Sequence, residues 1–233
     1  MDQQPPAPAE SRPPKAKPDW QQETSLWQAG YHLLAGVDEA GRGAWAGPLV
    51  AAAVILPAPG RLGAGAAVWH QVCDSKQLSA AARELLYPLI YAAAISVAVG
   101  LVSPALIDLI GLGPANRLAM VRAIRSLQPA PDHLLVDAFK LPSLPLPQRN
   151  LIRGDQRSVA IAAASIIAKV WRDRLMVELA AAYPAYQFAT HKGYGTAMHQ
   201  LALQQHGPCA IHRRSYAPLK LASAAWASRV APD

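Results

Sequence analysis

A chain of 233 residues that is 52% hydrophobic and 16% charged has material for one domain with a large core and is not composed like a disordered protein. Its net charge of +7 and pI near 9.6 favour anionic partners such as nucleic acid. Cys73 and Cys209 lack CxxC or Cys/His ligand spacing, and the longest apolar run, 44–59, is broken by Gly47, Pro48 and Pro57; a disulfide framework, a structural zinc site and a membrane span are all unsupported.

Residues 1–25 begin with Pro5, Pro6, Pro8, Pro13, Pro14 and Pro18 among polar neighbours, too little apolar surface to offset ordering entropy, and read as a disordered leader. No secretory h-region is present in them, so a cytoplasmic protein with no membrane contact is the default, and a monomer is expected because no coiled coil or exposed apolar stripe suggests otherwise. Residues 26–220 read as one domain with a helical C-terminal part, and 221–233 as a tail. Runs 33–37 and 49–56 are two buried strands joined as an antiparallel hairpin. Because strand side chains alternate between faces, Asp38 and Glu39 cannot both meet one ligand on a regular strand, so the first strand is expected to bend or finish at this pair. A Gly/Ala/Pro loop over 57–72 precedes a helix capped by Ser79. A third strand spans 95–101. Ser103 and Pro104 open a short helix to about Ile110, and 111–114 break it before an amphipathic helix over 115–127. Strand 133–136 ends at Asp137, and a fifth strand, 150–153, runs into Gly154 and Asp155. The helix from Ser158 to about Ala182 is apolar all round and is expected to be central. A glycine-punctuated loop, 191–196, leads into a last helix over 197–205.

The chemistry begins at Gly36-Val37-Asp38-Glu39-Ala40-Gly41-Arg42-Gly43. Adjacent acids beside an apolar strand are costly unless a cation neutralises them, and glycines around an arginine let a bulky anionic ligand approach the main chain. Alone, this octapeptide is equally well read as a tight turn with a solvated acid pair. Asp137 and Asp155 change the balance, since with Asp38 they make three acids at the ends of apolar strands, and Glu39 is a fourth. Converging carboxylates need cations among them, and oxygen-only ligation suits Mg²⁺ or Mn²⁺. Two such ions would clamp the attacking and leaving oxygens of an in-line phosphoryl displacement, so metal-dependent phosphodiester hydrolysis is the expectation.

With these residues in place, the chain resembles ribonuclease HII, the type 2 ribonuclease H family, over roughly residues 33–218. The motifs are Val-Asp-Glu-Ala-Gly-Arg-Gly, Asp74-Ser-Lys-Gln-Leu-Ser, Leu-Val-Asp137-Ala, and Gly154-Asp155 followed by the apolar helix. Further on come Arg172-Asp173-Arg, Tyr183-Pro184, His191-Lys-Gly-Tyr-Gly-Thr and His212-Arg213. The resemblance implies an α/β, ribonuclease H-like fold, a five-stranded mixed sheet flanked by helices with a helical C-terminal segment. It implies cleavage of RNA in RNA–DNA hybrids and at single ribonucleotides in duplex DNA, 5′ of the ribonucleotide, leaving 3′-hydroxyl and 5′-phosphate ends. Asp38, Glu39, Asp137 and Asp155 would be the catalytic acids holding two Mn²⁺ or Mg²⁺ ions. Gly41, Arg42 and Gly43 would sense the ribose 2′-hydroxyl, and Tyr194 would stack on the following deoxyribose. Arg42, Lys76, Lys169, Lys192 and Arg213 are candidates for a phosphate-tracking surface. Asp173 reads as a structural ion-pair member, Asp74 as ordering its own turn, and His191 and His212 as hydrogen-bonding or phosphate-contacting rather than metal-binding. Gln77, Ala138, Trp45 and the segment 111–116 depart from the family pattern, the last putting substrate-strand contacts there in doubt. The competing reading is a catalytically silent nucleic-acid-binding protein on the same fold.

Overall fold

The computed structural model describes residues 17–58, 60 and 66–222. The expected leader up to residue 16 and the tail from 223 lie outside them. Order begins earlier than the composition of the leader suggests. Residues Gln21–Gln28 form helix α1, and Glu23 within it is fully buried, accepting from Ser158 Oγ at 2.6 Å and the Ala160 N–H at 2.9 Å. A carboxylate at the opening of another helix supplies an acceptor for its free N–H groups, which is what holds this polar segment down.

Strands β1 (Leu34–Ala40), β2 (Leu49–Ile55), β3 (Ser96–Val102), β4 (His133–Asp137) and β5 (Gln148–Leu151) form one mixed sheet in the order β3-β2-β1-β4-β5. The expected hairpin is present: β1 pairs antiparallel with β2, and β2 with β3, whereas β1–β4 and β4–β5 are parallel. Every residue of β2 is buried, as a central strand with both faces covered must be. One face carries α6 (Val159–Ala182) with α3 (Ala80–Ala93) and the short α2 (Ala66–Trp69), which lies in the stretch expected to be loop. The other face carries α4 (Pro104–Ile110) and α5 (Leu112–Arg125). Gly111, at φ 82°, is the only residue between these two helices, so the break there is shorter than four residues. The central placement of α6 follows from its alanines and from Gly36: a Cβ at Gly36 would stand 2.1 Å from the Ala160 carbonyl carbon, so helix and strand approach to backbone distance. Ser79, Ser103 and Ser158 cap their helices through their hydroxyls. The C-terminal part, α7 (Phe188–His191) and α8 (Ala197–His206), packs on the far end of α6 around Met176, Tyr186 and Phe188.

Two strand ends differ from expectation. β1 neither bends nor finishes at Asp38 and Glu39, which stay in register with Ala52 and Ala51 of β2. β5 ends at Leu151, so Asp155 sits not on a strand end but in the 3₁₀ turn Gly154–Gln156.

Candidate active site

The paired acids are brought together by a difference in strand length. The last pair between β1 and β4 is Val37 with Val136, and β4 ends one residue later at Asp137, while β1 continues along β2 to Ala40. Asp38 shares the face of Gly36, toward α6, and Glu39 shares the face of Val37, toward α5. Carboxylate oxygens of Asp38, Glu39 and Asp137 all lie within 4.8 Å of one another. The alternation constraint is real, and it is the neighbouring strand, not β1 itself, that relieves it.

Local hydrogen bonds aim these groups. Asp38 Oδ1 accepts from the Glu39 N–H at 2.7 Å, and Asp137 Oδ1 from the Gly154 N–H at 2.7 Å. Burial drives all three carboxyls above their ordinary pKa range, Asp38 furthest, with Glu39 and Asp137 adding like-charge repulsion to it. The fully buried Asn116 amide stands beside the Glu39 carboxylate and offsets part of this without closing a bond of normal geometry; its Oδ1 and Nδ2, and Glu39 Oε2, are left without partners. Asp155, the fourth expected acid, is not one of the three that meet within 4.8 Å, although its charge is felt by Asp38 and it feels that of Asp137. Burial, then the nearby Asp74, pushes it up to about 6, and the exposed Lys76 ammonium approaches it at 3.6 Å. Asp74 orders its own turn as expected, accepting from the Lys76 N–H at 2.9 Å.

An all-oxygen cluster, buried at Asp38 and half-buried at Glu39 and Asp137, with an orphaned carboxylate oxygen, fits hard divalent cations in chemistry and in spacing. Glu39 also lines a cleft of about 260 Å³ with Gly41, Arg42, Gly43, Lys76 and Tyr194. Past Tyr194 the surface opens into a groove of about 730 Å³ lined by Arg83, Lys169, Arg174 and Lys192 together with the acids Glu84, Asp173 and Glu178. Lys192 thus belongs to the groove rather than to the acid cleft, and its ammonium is turned onto the Ala189 carbonyl.

Two buried arginines shape the cleft. Arg172 donates to the carbonyls of Pro48 (3.0 Å), Ala46 (3.0 Å) and Lys192 (2.9 Å), and Arg213 to those of Gly47 (3.0 Å) and Arg42 (3.1 Å). Arg213 is fully buried, so it is a clamp on the turn after β1 and not part of a phosphate surface. Gly41 is required twice over: its φ is 86°, and a Cβ there would fall 1.9 Å from Arg172 Nε. Gly43 has open space around it, and the Arg42 guanidinium lies 4.8 Å from the Phe139 ring centroid. Trp45 packs beneath the Tyr194 loop, its ring occupying the space a Cβ at Gly195 would need. Asp173 forms an ion pair, but with Lys169 at 2.7 Å rather than with its arginine neighbours; Arg174 pairs with Glu84. Sequence reasoning missed Arg172 and Asn116. For Arg172 a signal existed, since Ser165, Ala168, Arg172 and Met176 repeat on one buried face of α6.

Comparison with known proteins decides the family. The family model for ribonuclease HII matches residues 35–219. The chain belongs to the ribonuclease HII family. It is 54% identical over 208 residues to the Ribonuclease HII of Chloroflexus aurantiacus, covering 87% of this chain and 94% of that one, and 53% identical over 203 residues to that of Dehalococcoides mccartyi, with the same coverage. Among solved structures, the ribonuclease H2 from Pyrococcus horikoshii OT3 superposes with a TM-score of 0.69 at 27% identity, covering 82% of this chain and 97% of that one. The fold is ribonuclease H-like, and the protein is a metal-dependent endonuclease that hydrolyses RNA. No helix among the described residues is long and apolar enough to cross a membrane.

Proposed function

We propose that this protein cuts the RNA strand of RNA–DNA hybrids and single ribonucleotides embedded in duplex DNA. Cleavage falls on the 5′ side of the ribonucleotide and leaves 3′-hydroxyl and 5′-phosphate ends. One observation carries the reading: Glu39 belongs at once to the acid cluster and to the cleft that presents Gly41-Arg42-Gly43 and Tyr194. Chemistry and recognition therefore share a wall, as cutting beside a recognised sugar requires.

Asp38, Glu39 and Asp137 would hold Mn²⁺ or Mg²⁺, two ions during turnover, with Asp155 completing the set. When bound, such ions supply charge neutralisation at the scissile phosphate and a water of lowered pKa. The chain's own groups do the rest. Asp155, beside Lys76, orients the attacking water. The Gly41–Gly43 main chain, held at the Arg42 carbonyl by Arg213 and backed at Gly41 by the Arg172 side chain, meets the 2′-hydroxyl without Cβ bulk in the way. The Tyr194 ring, with the Lys169 ammonium 5.1 Å and the Arg172 guanidinium 5.2 Å from its centroid, stacks on the next sugar and favours a deoxyribose there. The groove beyond, where Arg83 and Lys192 stand beside the Lys169–Asp173 and Arg174–Glu84 pairs, carries the duplex backbone. A silent binder would gain nothing from four such acids.

The test is a duplex carrying one ribonucleotide, with Mn²⁺ or Mg²⁺, assayed beside a long hybrid. Cleavage is expected to vanish with chelator and to fall at least about a hundredfold in Asp137→Asn. Tyr194→Ala is expected to lower the preference for the single ribonucleotide while hybrid cleavage partly survives. Undiminished cleavage in Asp137→Asn would remove the acid assignment, and an unchanged preference in Tyr194→Ala would remove the sensor.

A further inference from the structure

Beneath the Tyr194 loop, away from the acids, three buried histidines stand together: His191, His199 and His212. Their backbone partners fix where each proton lies. The Cys209 N–H donates to His212 Nδ1 at 2.9 Å, so that nitrogen is bare and the neutral ring carries its proton on Nε2. His212 Nε2 faces His199 Nε2 at 2.9 Å, and one of the two must accept. It is His199, whose proton is then on Nδ1, and Nδ1 meets the Tyr194 carbonyl at 3.0 Å. Donation therefore runs one way, from the C-terminal segment through His212 and His199 into the Tyr194 main chain. His191 completes the frame: it stacks on His199 with centroids 4.5 Å apart, accepts from the Gly193 N–H at 3.2 Å and meets the Tyr186 carbonyl at 2.7 Å. Burial keeps His199 and His212 neutral, lowering them to about 4 and about 3, so the order persists at working pH. A metal site is ruled out by direction, because Cys209 Sγ lies at His212 Nδ1 (3.1 Å), on the opposite edge of the ring from His199.

We propose that His212 and His199 are positioning residues, a proton-ordered pair that fixes the Tyr194 carbonyl and so holds the tyrosine ring where it discriminates the sugar. This rests on the reading of Tyr194 given above. The assignment makes a directional prediction that packing alone does not. In His199→Asn the amide nitrogen takes the place of Nδ1 and can still donate to Tyr194. In His199→Gln the side-chain oxygen takes the place of Nε2, accepts from His212, and leaves the Tyr194 carbonyl without this donor.

The experiment measures the ratio of single-ribonucleotide to long-hybrid cleavage in the full chain for wild type, both His199 variants and Tyr194→Ala. Imidazole nitrogen shifts of the wild type and ring resonances of labelled Tyr194 are recorded by NMR. The expected result is His199 protonated on Nδ1, His212 on Nε2, a near wild-type ratio and ring signal in His199→Asn, and a ratio lowered roughly three- to tenfold with a displaced ring signal in His199→Gln, the size of one lost hydrogen bond. Reversed tautomers, or Tyr194 ring signals that respond equally to both variants, overturn the proposal, and the wild-type tautomers report even if a variant fails to fold. If Tyr194→Ala leaves the ratio unchanged, the sensor reading falls by itself, while tautomers and ring signals still judge the positioning.

Discussion

Replacing Asp155 by Asn is expected to make the metal-free protein more stable. The Asp155 carboxyl is only 5% exposed, and its pKa rises from an ordinary 3.8 to about 6, through burial first and the Asp74 carboxylate second. A carboxyl raised in the folded state contributes its stability below the unfolded pKa and loses it as pH rises through the folded one. At pH 8 the folded chain therefore carries an ionisation penalty of at most about 3 kcal/mol at 1.36 kcal/mol per unit, and about 1–2 kcal/mol after allowance for relaxation and residual solvent. Asparagine removes that penalty and can still donate toward Asp74, the role the protonated acid fills. What it loses is the contact with Lys76, whose side chain is 79% exposed, so that loss is small. Urea unfolding in chelator is the assay. The variant should exceed the wild type at pH 8, the gap should close as pH falls from 6 toward 4, and added Mn²⁺ should stabilise the wild type more than the variant. A variant less stable than the wild type at pH 8, or a gap independent of pH, would refute the claim that this site is electrostatically frustrated without cations.

Ala138→Gly should raise stability by about 0.5–1 kcal/mol, because Ala138 holds φ 55° directly after Asp137 and glycine adopts that region without Cβ strain; an unchanged or lower urea midpoint would contradict this. Arg172→Met should cost at least about 3 kcal/mol, since the carbonyls of Ala46, Pro48 and Lys192 all lose a donor in a buried place. Its effect on cleavage should exceed that of Lys192→Ala, whose ammonium turns back onto its own segment.

The parts of the fold that were legible in the sequence are those that local chemistry dictates. Ser79 and Ser103 announce their helices, the β1–β2 hairpin follows from two apolar runs with a short link, and the apolar circumference of α6 marks it as central. Features set by non-local contact were not legible. Residues 21–25 fall in the stretch read as a disordered leader, yet Glu23 is captured by the opening of α6, a partner 135 residues away. Arg213 reads as one more surface cation, and only the carbonyls of Arg42 and Gly47 make it a buried clamp. Ala138 reads as a minor substitution, and only its backbone angle reveals a place where glycine belongs.

The geometry of the acids joins these threads. Local rules correctly state that Asp38 and Glu39 point to opposite faces, and from that alone a bend in β1 is the natural inference. The chain uses a different means: β1 stays straight against β2, and β4 stops, so the constraint is met by the length of a strand a hundred residues distant. Straightness has a consequence that a bend would not. Glu39 remains anchored in the antiparallel ladder opposite Ala51, so its carboxylate is presented by rigid backbone to the cluster on one side and to the Gly41 turn on the other. Burial is the first reason these acids hold their protons, and for Asp38 the same rigidity adds a second, because it cannot move away from the charges of Glu39 and Asp137.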